Sequence, residues 1–124
     1  MSNPKERVVV VGASQKPERY SNKAIRMLQE HGHEVIPVHP KLDEIEGLKV
    51  MHTLDEISGS VDTVTLYVGP DISTTLAGAL IKLHPRRVIF NPGTENPALA
   101  QQLAAAGIGY QQNCTLVLLR SGQF

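Results

Sequence analysis

The sequence predicts an α/β fold: a single doubly wound domain, 1–124, with about five mostly parallel strands flanked by helices. Three observations carry this. Runs such as Val8-Val9-Val10-Val11 are continuously apolar rather than alternating, which is how a strand buried on both faces reads. Such runs alternate with helix-periodic segments from end to end, joined by short connections bearing Gly or Pro. At 124 residues, 41% of them hydrophobic, the chain can bury one core without disulfide or metal staples.

The first strand is Arg7 to Val11, followed by a tight turn at Gly12-Ala13-Ser14. Ala24, Ile25 and Leu28, with Met27 beside them, recur at helical spacing between Ser21 and Glu30, and Gly32 supplies the stop. Glu34 to Val38 is a second strand, ended by His39-Pro40. Gly47 to Val50 reads as a turn into a short extended piece, and Leu54 to Ile57 as one helical turn with Thr53 as N-cap. Asp62 to Val68 is the third main strand. A helix capped by Asp71 or Ser73 then carries Leu76, Leu80, Ile81 and Leu83 and stops before Pro85. Arg87 to Phe90 is the fourth strand. Asn96 to Ala106 is a helix with Pro97 in its first turn and Gly107 as terminator. Ile108 to Gln112 is a short fifth strand, and Cys114 to Leu119 is apolar enough for either strand or helix. Strands and helices in this order require right-handed crossovers and a Rossmann-like sheet covered on both faces. No repeat, linker or low-complexity segment interrupts it.

Composition narrows the function. Twelve Lys and Arg balance twelve Asp and Glu, so the total charge favours neither nucleic acid nor an anionic membrane surface. The absence of Trp weakens any reading built on base-stacking platforms. The single Cys114 excludes an internal disulfide framework and a multi-Cys metal centre, and suits a reducing, cytoplasmic setting. No apolar run approaches the roughly 18 residues of a membrane span. The polar start, residues 1–7, does not have the form of a signal peptide.

In doubly wound sheets ligands bind beyond the carboxyl ends of the strands. Here the loops are Gly12–Ser21, His39–Leu42, Gly69–Ser73, Asn91–Asn96 and Gln112–Thr115. The first has the strand, turn and helix form that holds phosphate. It is no dinucleotide fingerprint, because G-x-G-x-x-G needs glycine where this chain has Ser14 and Pro17. Lys16 and Arg19 lie in the turn, and Ser14 and Ser21 can each bond a phosphate oxygen, though Ser21 serves equally as a helix N-cap. Lys23 and Arg26 follow at helical spacing and read as a solvated face. At the end of the second strand an NAD site usually places an acid for the ribose. This chain has Val38-His39-Pro40-Lys41 there. Lys41 suits a phosphate on the ribose, as in NADP or the 3′-phosphate of coenzyme A; a plain surface lysine has equal weight. Asp43 and Glu44 follow closely enough for a loop shift to bring one to a ribose. His31 and His33 flank Gly32 in helix-end or surface roles. Cys114 reads as a half-buried small residue without an identified base. No catalytic constellation and no metal site emerge.

These loops resemble the stand-alone CoA-binding domain proteins, small relatives of the N-terminal nucleotide-binding domain of the succinyl-CoA synthetase α subunit. The resemblance runs nearly end to end. It rests on Val11-Gly12-Ala13-Ser14, on Lys16-Pro17-Glu18-Arg19-Tyr20-Ser21, and above all on Gly32-His33-Glu34-Val35-Ile36-Pro37-Val38-His39-Pro40. Gly47, Leu54-Asp55-Glu56-Ile57, Val61-Asp62, Gly93-Thr94-Glu95-Asn96 and Cys114 extend it. The resemblance implies coenzyme A, or an acyl-CoA not covalently attached, held along the strand ends. Gly12, Ala13, Ser14 and the Lys16–Arg19 loop would face its phosphates, with Ser21 nearby. His39, Pro40 and Lys41 would lie by the adenosine 3′-phosphate, and Tyr67 to Pro70 with Pro92-Gly93 would line the rest of the groove. The chain departs from the family pattern at Tyr67-Val68-Gly69-Pro70, where an Arg-containing loop is usual, and at Phe90-Asn91-Pro92, where Trp-x-Gln is usual.

The expected function is therefore non-catalytic binding of coenzyme A or a short acyl-CoA. Two alternatives stay open: a pyridine-nucleotide (NAD or NADP) sensor or binding module, and an interaction subunit with a vestigial pocket. The ligand class is a small nucleotide, with neither nucleic acid nor membrane as partner. A homodimer or a separately encoded enzyme partner is compatible with the sequence.

Overall fold

A computed structural model describes residues 4–124; Met1, Ser2 and Asn3 of the polar start lie outside the described residues. The elements run β1 (Arg7–Val11), α1 (Tyr20–Glu30), β2 (Glu34–Val38), β3 (Glu44–Ile45), β4 (Leu48–Lys49), a 3-10 turn (Leu54–Glu56), β5 (Thr63–Leu66), α2 (Pro70–Ser73), a second 3-10 turn (Thr74–Leu76), α3 (Ala77–Leu83), β6 (Arg87–Phe90), α4 (Pro97–Ala105), β7 (Gly109–Gln112) and α5 (Thr115–Arg120).

Five strands form one sheet in the order β2-β1-β5-β6-β7, and all four pairings are parallel. The chain starts at β1, steps outward to β2, then crosses back to β5. That reversal puts the topological switch between β1 and β5. Side chains of β1 alternate between the faces. Val8 and Val10 pack with Ile25, Leu28 and Leu119 under α1 and α5. Val9 and Val11 pack with Val64, Leu66, Leu80, Leu99 and Leu103 under α3 and α4. This two-sided burial is why the β1 sequence is apolar at every position.

Two local expectations are corrected and one open alternative is decided. Ser21 does not cap α1: Arg19 holds the N-cap position without a side-chain bond, and Ser21 is a buried residue of the first turn. Neither Asp71 nor Ser73 starts the next helix. Gly69 holds the cap position, Pro70 opens α2, and the segment breaks at Thr74–Leu76 before α3. The Thr75 hydroxyl donates to the carbonyl of Ile72 (2.6 Å), a local bond that competes with the regular helical ladder. The ambiguous Cys114–Leu119 run is helical, as α5. Thr53 holds the cap position of the Leu54–Glu56 turn without a side-chain bond, whereas at α4 the expected chemistry holds: the Asn96 side chain accepts from the Leu99 amide at 3.1 Å. Glu46 and Gly47, at φ 50° and 76°, turn the β3–β4 hairpin.

The amino ends of the strands are closed by a charged cluster. The Glu6 carboxylate is 9% exposed and lies 3.2 Å from Arg86 and 3.3 Å from Arg87. It also accepts the Thr63 hydroxyl at 2.5 Å. His33 is buried here rather than at the surface, with its Nδ1 accepting the Glu6 amide at 2.9 Å. Burial lowers its pKa below the ordinary 6.5, and the Glu6 carboxylate offsets part of that. The folded pKa is depressed, so the unfolded chain takes up the proton first as pH falls. The stabilisation His33 provides is present above its unfolded value and is lost below it. Thermal midpoints measured between pH 8 and 5 should fall on the acid side of 6.5, and His33→Gln should flatten that slope. An unchanged slope in the variant would remove His33 as the cause.

Candidate functional site

A parallel sheet sends the carboxyl ends of all its strands to one edge, and the loops after β1, β2, β5 and β6 enclose a cleft there of about 750 Å3. Its floor is the first turn. Gly12 has φ +83°, and a Cβ there would stand 2.8 Å from Val68 Cγ1 and 2.9 Å from the Tyr67 carbonyl oxygen. Only glycine fits. The Gly12 and Ala13 amides both donate to the Val38 carbonyl, at 3.3 and 3.2 Å. These two amides tie β1 to β2 and are taken up by that bond. The open donors lie further on, at the start of α1, where no side chain caps the first amides.

The loop between turn and helix is held from behind. Asn22 is fully buried and donates to the Ser14 carbonyl (2.8 Å) and to the Glu46 carboxylate (3.2 Å) on the hairpin. Arg26 donates to Asn22 Oδ1 and to the Pro17 carbonyl, both at 2.8 Å. Arg26 is thus a brace for the loop rather than part of a solvated stripe. Ser14 Oγ accepts the Lys16 amide at 3.1 Å, which leaves its hydroxyl proton free to donate outward.

At the end of β2, His39 Nδ1 accepts the amides of Lys41 and Leu42, each at 3.0 Å. The neutral ring therefore carries its proton on Nε2. This fold of residues 39–42 brings Leu42 into the cleft wall and leaves Lys41 exposed outside it. Asp43 pairs with His52 at 3.0 Å, and neither Asp43 nor Glu44 lines the cleft.

The opposite wall comes from Tyr67, Val68 and Gly69 after β5 and from Pro92, Gly93 and Thr94 after β6. Buried Asn91 organises it. Its amide nitrogen donates to Thr65 Oγ1 (2.6 Å) and the Leu66 carbonyl (2.8 Å), and its oxygen accepts the Thr115 amide (2.9 Å). The Thr65 and Thr115 hydroxyls bond each other at 2.8 Å. The neighbouring Tyr67 hydroxyl is buried without a partner of hydrogen-bonding geometry among the described residues. Burial pushes its pKa up to about 12, with the nearby Thr115 and Thr65 hydroxyls opposing only part of the rise. At neutral pH the phenol keeps its proton and is no base.

Of the residues selected from sequence, Gly12, Ala13, Ser14, Lys16, Arg19, Ser21, His39, Pro40, Tyr67, Pro92 and Gly93 all border this cleft; Lys41 does not. Gln15, Tyr20, Leu42 and Thr94 also border it; they lie in the loops expected at the strand ends, and Tyr20 and Thr94 in the motifs that carry the family resemblance, but the sequence singles none of them out as a site residue. The lining carries Lys16, Arg19 and His39 and, among the described residues, no carboxylate. No group of three or more His, Cys, Asp or Glu among the described residues is placed to hold a metal ion. No helix among them is long and apolar enough to cross a membrane.

Comparison with known proteins adds to this geometry. A family model described as CoA binding domain matches residues 6–120. An uncharacterized protein, YneT, of Bacillus subtilis (strain 168) is 40% identical over 62 residues, half of this chain. That match covers 46% of YneT, so the chain aligns with about half the length of this relative. A crystal structure of an uncharacterized protein superposes with a TM-score of 0.92 at 41% identity, covering 98% of this chain and all of the other. A hypothetical protein from Pyrococcus horikoshii OT3 gives 0.87 at 30% identity, covering 94% of this chain and 82% of its own.

Proposed function

This chain belongs to the CoA binding domain family, and from that premise we propose that its cleft holds coenzyme A or a short acyl-CoA and does not transform it. One observation carries the assignment to this cleft: the uncapped start of α1 opens onto a wall bearing Lys16 and Arg19 and, among the described residues, no carboxylate. The partial positive charge of a helix start and its unbonded amides suit a pyrophosphate. Lys16, Arg19 and the Ser14 hydroxyl supply charge-assisted and neutral donors around it. His39 Nε2–H and Pro40 face the adenosine 3′-phosphate end, and Lys41, exposed outside the cleft, meets that phosphate only by turning its long side chain back toward it. Tyr67, Pro92 and Gly93 border the path of the pantetheine arm. The reading as a holder rests on the titratable groups at hand. Tyr67 is fixed as a neutral phenol, and the His39 ring is committed through Nδ1 to two amides.

Isothermal titration with CoA, dephospho-CoA, NADH and NADPH tests this. CoA should bind saturably, more weakly as salt rises. Arg19→Ala should weaken it about fivefold to tenfold, the range for a charge-assisted contact discounted for exposure. Lys41→Ala should weaken CoA and spare dephospho-CoA; equal losses would remove the 3′-phosphate assignment. Saturable binding of NADH or NADPH with no heat from CoA would overturn the reading as a whole.

A further inference from the structure

The two edges of the sheet are finished differently. At the β2 edge, Pro37 has no amide to offer, and its carbonyl accepts the Met51 amide at 2.9 Å. The Met51 carbonyl in turn accepts the His39 amide at 3.0 Å, so this segment covers the outer side of β2. β7 ends the sheet on the other side, and among the described residues no segment pairs with its outer side. Gly109 and Asn113 donate inward, to the carbonyls of Arg86 and Phe90, at 3.3 and 3.1 Å. Inward bonds recur at every second residue of a parallel ladder, so Tyr110 and Gln112 turn their amides and carbonyls outward. The strand is Gly-Tyr-Gln-Gln, exposed except at half-buried Gln111, with neither a proline nor a charge to discourage pairing. The neutrality extends beyond it. Residues 96–119 contain no Asp, Glu, Lys, Arg or His, although the rest of the chain holds twelve acids and twelve Lys and Arg. α4, which packs against β7, exposes Pro97, Ala98, Gln101, Gln102, Ala104 and Ala105. A charge-free surface has nothing with which to repel its own copy, and its alanines and proline lose no rotamer freedom when covered. Tyr110 adds an aromatic ring, 46% exposed, set edge-on to Phe90 with 6.1 Å between centres.

We infer that this edge joins two copies of the chain, β7 pairing antiparallel with its counterpart across a twofold axis at Gln111. The outward pattern is self-complementary about that residue. Tyr110 lies opposite Gln112 of the partner subunit, and the reverse pair repeats it; each pair exchanges both backbone bonds, four in all. A free peptide gains the same bonds only after losing its own chain freedom, whereas a second copy brings β7 already extended. The two five-stranded sheets then continue as one, with the strands of one half running opposite to those of the other. Each cleft lies at the carboxyl ends of its own strands and includes no β7 residue, so the two clefts open at opposite ends and stay free. The inference does not depend on what those clefts hold.

Sedimentation of the full chain, over a concentration series reaching about 1 mM to capture even weak pairing, should show a species of twice the 13.5 kDa chain mass. Gln112→Pro removes an outward amide and no inward bond, a change that an edge strand accepts. It should weaken dimerisation about thirtyfold, because two ordinary hydrogen bonds are lost per dimer. Its thermal midpoint should match that of the dissociated wild-type chain, which shows the fold intact. Gln111→Lys and Gln111→Glu each set like charges opposite one another at the axis, so each alone should pair more weakly than the wild type. Mixed one to one, the two variants should pair more tightly than either alone, which a merely damaged chain cannot do. A monomeric wild-type chain overturns the inference, even if the edge then captures a strand of another protein. So does a dimer that Gln112→Pro leaves intact, or a mixture that pairs no better than its components.

Discussion

Replacing Gly12 with alanine should destabilise the protein by about 3 kcal/mol and lower its thermal midpoint by roughly 10 °C. Two separate costs add. At φ +83° a residue with a Cβ is strained by about 1–2 kcal/mol. The new methyl would also stand 2.9 Å from the Tyr67 carbonyl oxygen, and a backbone group at a strand end cannot swing aside as a side-chain tip can. Moving it disturbs β5, the strand that pairs with β1. Gly78 provides the contrast. It lies inside α3 without a positive φ, and an added methyl would meet nothing within 4 Å. Gly78→Ala should therefore be neutral or stabilising by up to about 1 kcal/mol. Denaturant midpoints for the two variants check the pair. Equal effects would mean that the first turn relaxes without cost.

Asn91→Ala should cost a comparable amount, about 3 kcal/mol, by a different route. The side chain is buried and makes three hydrogen bonds, to Thr65 Oγ1, the Leu66 carbonyl and the Thr115 amide. Truncation leaves a buried carbonyl and a buried amide without those partners, each penalised by about 1–3 kcal/mol before any water enters. Part of the loss should appear locally. Thr115 is the first residue of α5, so its amide should exchange with solvent faster in the variant, beyond what the global loss of stability explains. Unaltered relative protection at Thr115 would count against this accounting. Because Asn91 underlies the wall that carries Tyr67 and Pro92, ligand affinity should fall together with stability.

The fold is legible where its causes are local. β1, β2 and β6 are apolar because both faces of the sheet are covered, and Asn96-Pro97 announces α4 by cap chemistry alone. The position of the cleft follows from topology: once the strands are parallel, the loops after β1, β2, β5 and β6 have one edge to share. What the sequence hides are contacts made across the chain. Arg26 reads as solvated because nothing nearby in sequence marks its bond to the Pro17 carbonyl, nine residues back. His33 reads as a surface residue because the amide it accepts belongs to Glu6, 27 residues away. Lys41 stands out for its charge, but the His39 ring decides the local turn and directs Leu42 inward instead. The capping role offered to Ser21 fails by two positions, because the helix begins at Tyr20 and carries Ser21 into the interior. In α5 the six-residue length is too short for periodicity to separate helix from strand.

The bracing of the first loop has a consequence for how a ligand arrives. Gly12 and Ala13 are bonded to Val38, Asn22 holds Ser14 and the hairpin, and Arg26 holds Pro17. All of these contacts are made within the chain itself. On the proposed assignment the loop that receives the ligand is already braced by the chain's own contacts, so association should not wait for it to fold or lose its freedom on capture. Such preorganisation removes an entropy term of about 0.5–1.5 kcal/mol for each side chain already fixed. Free and CoA-bound crystal structures should then show nearly superimposable loop backbones, with movement confined to side chains such as Lys16 and Arg19.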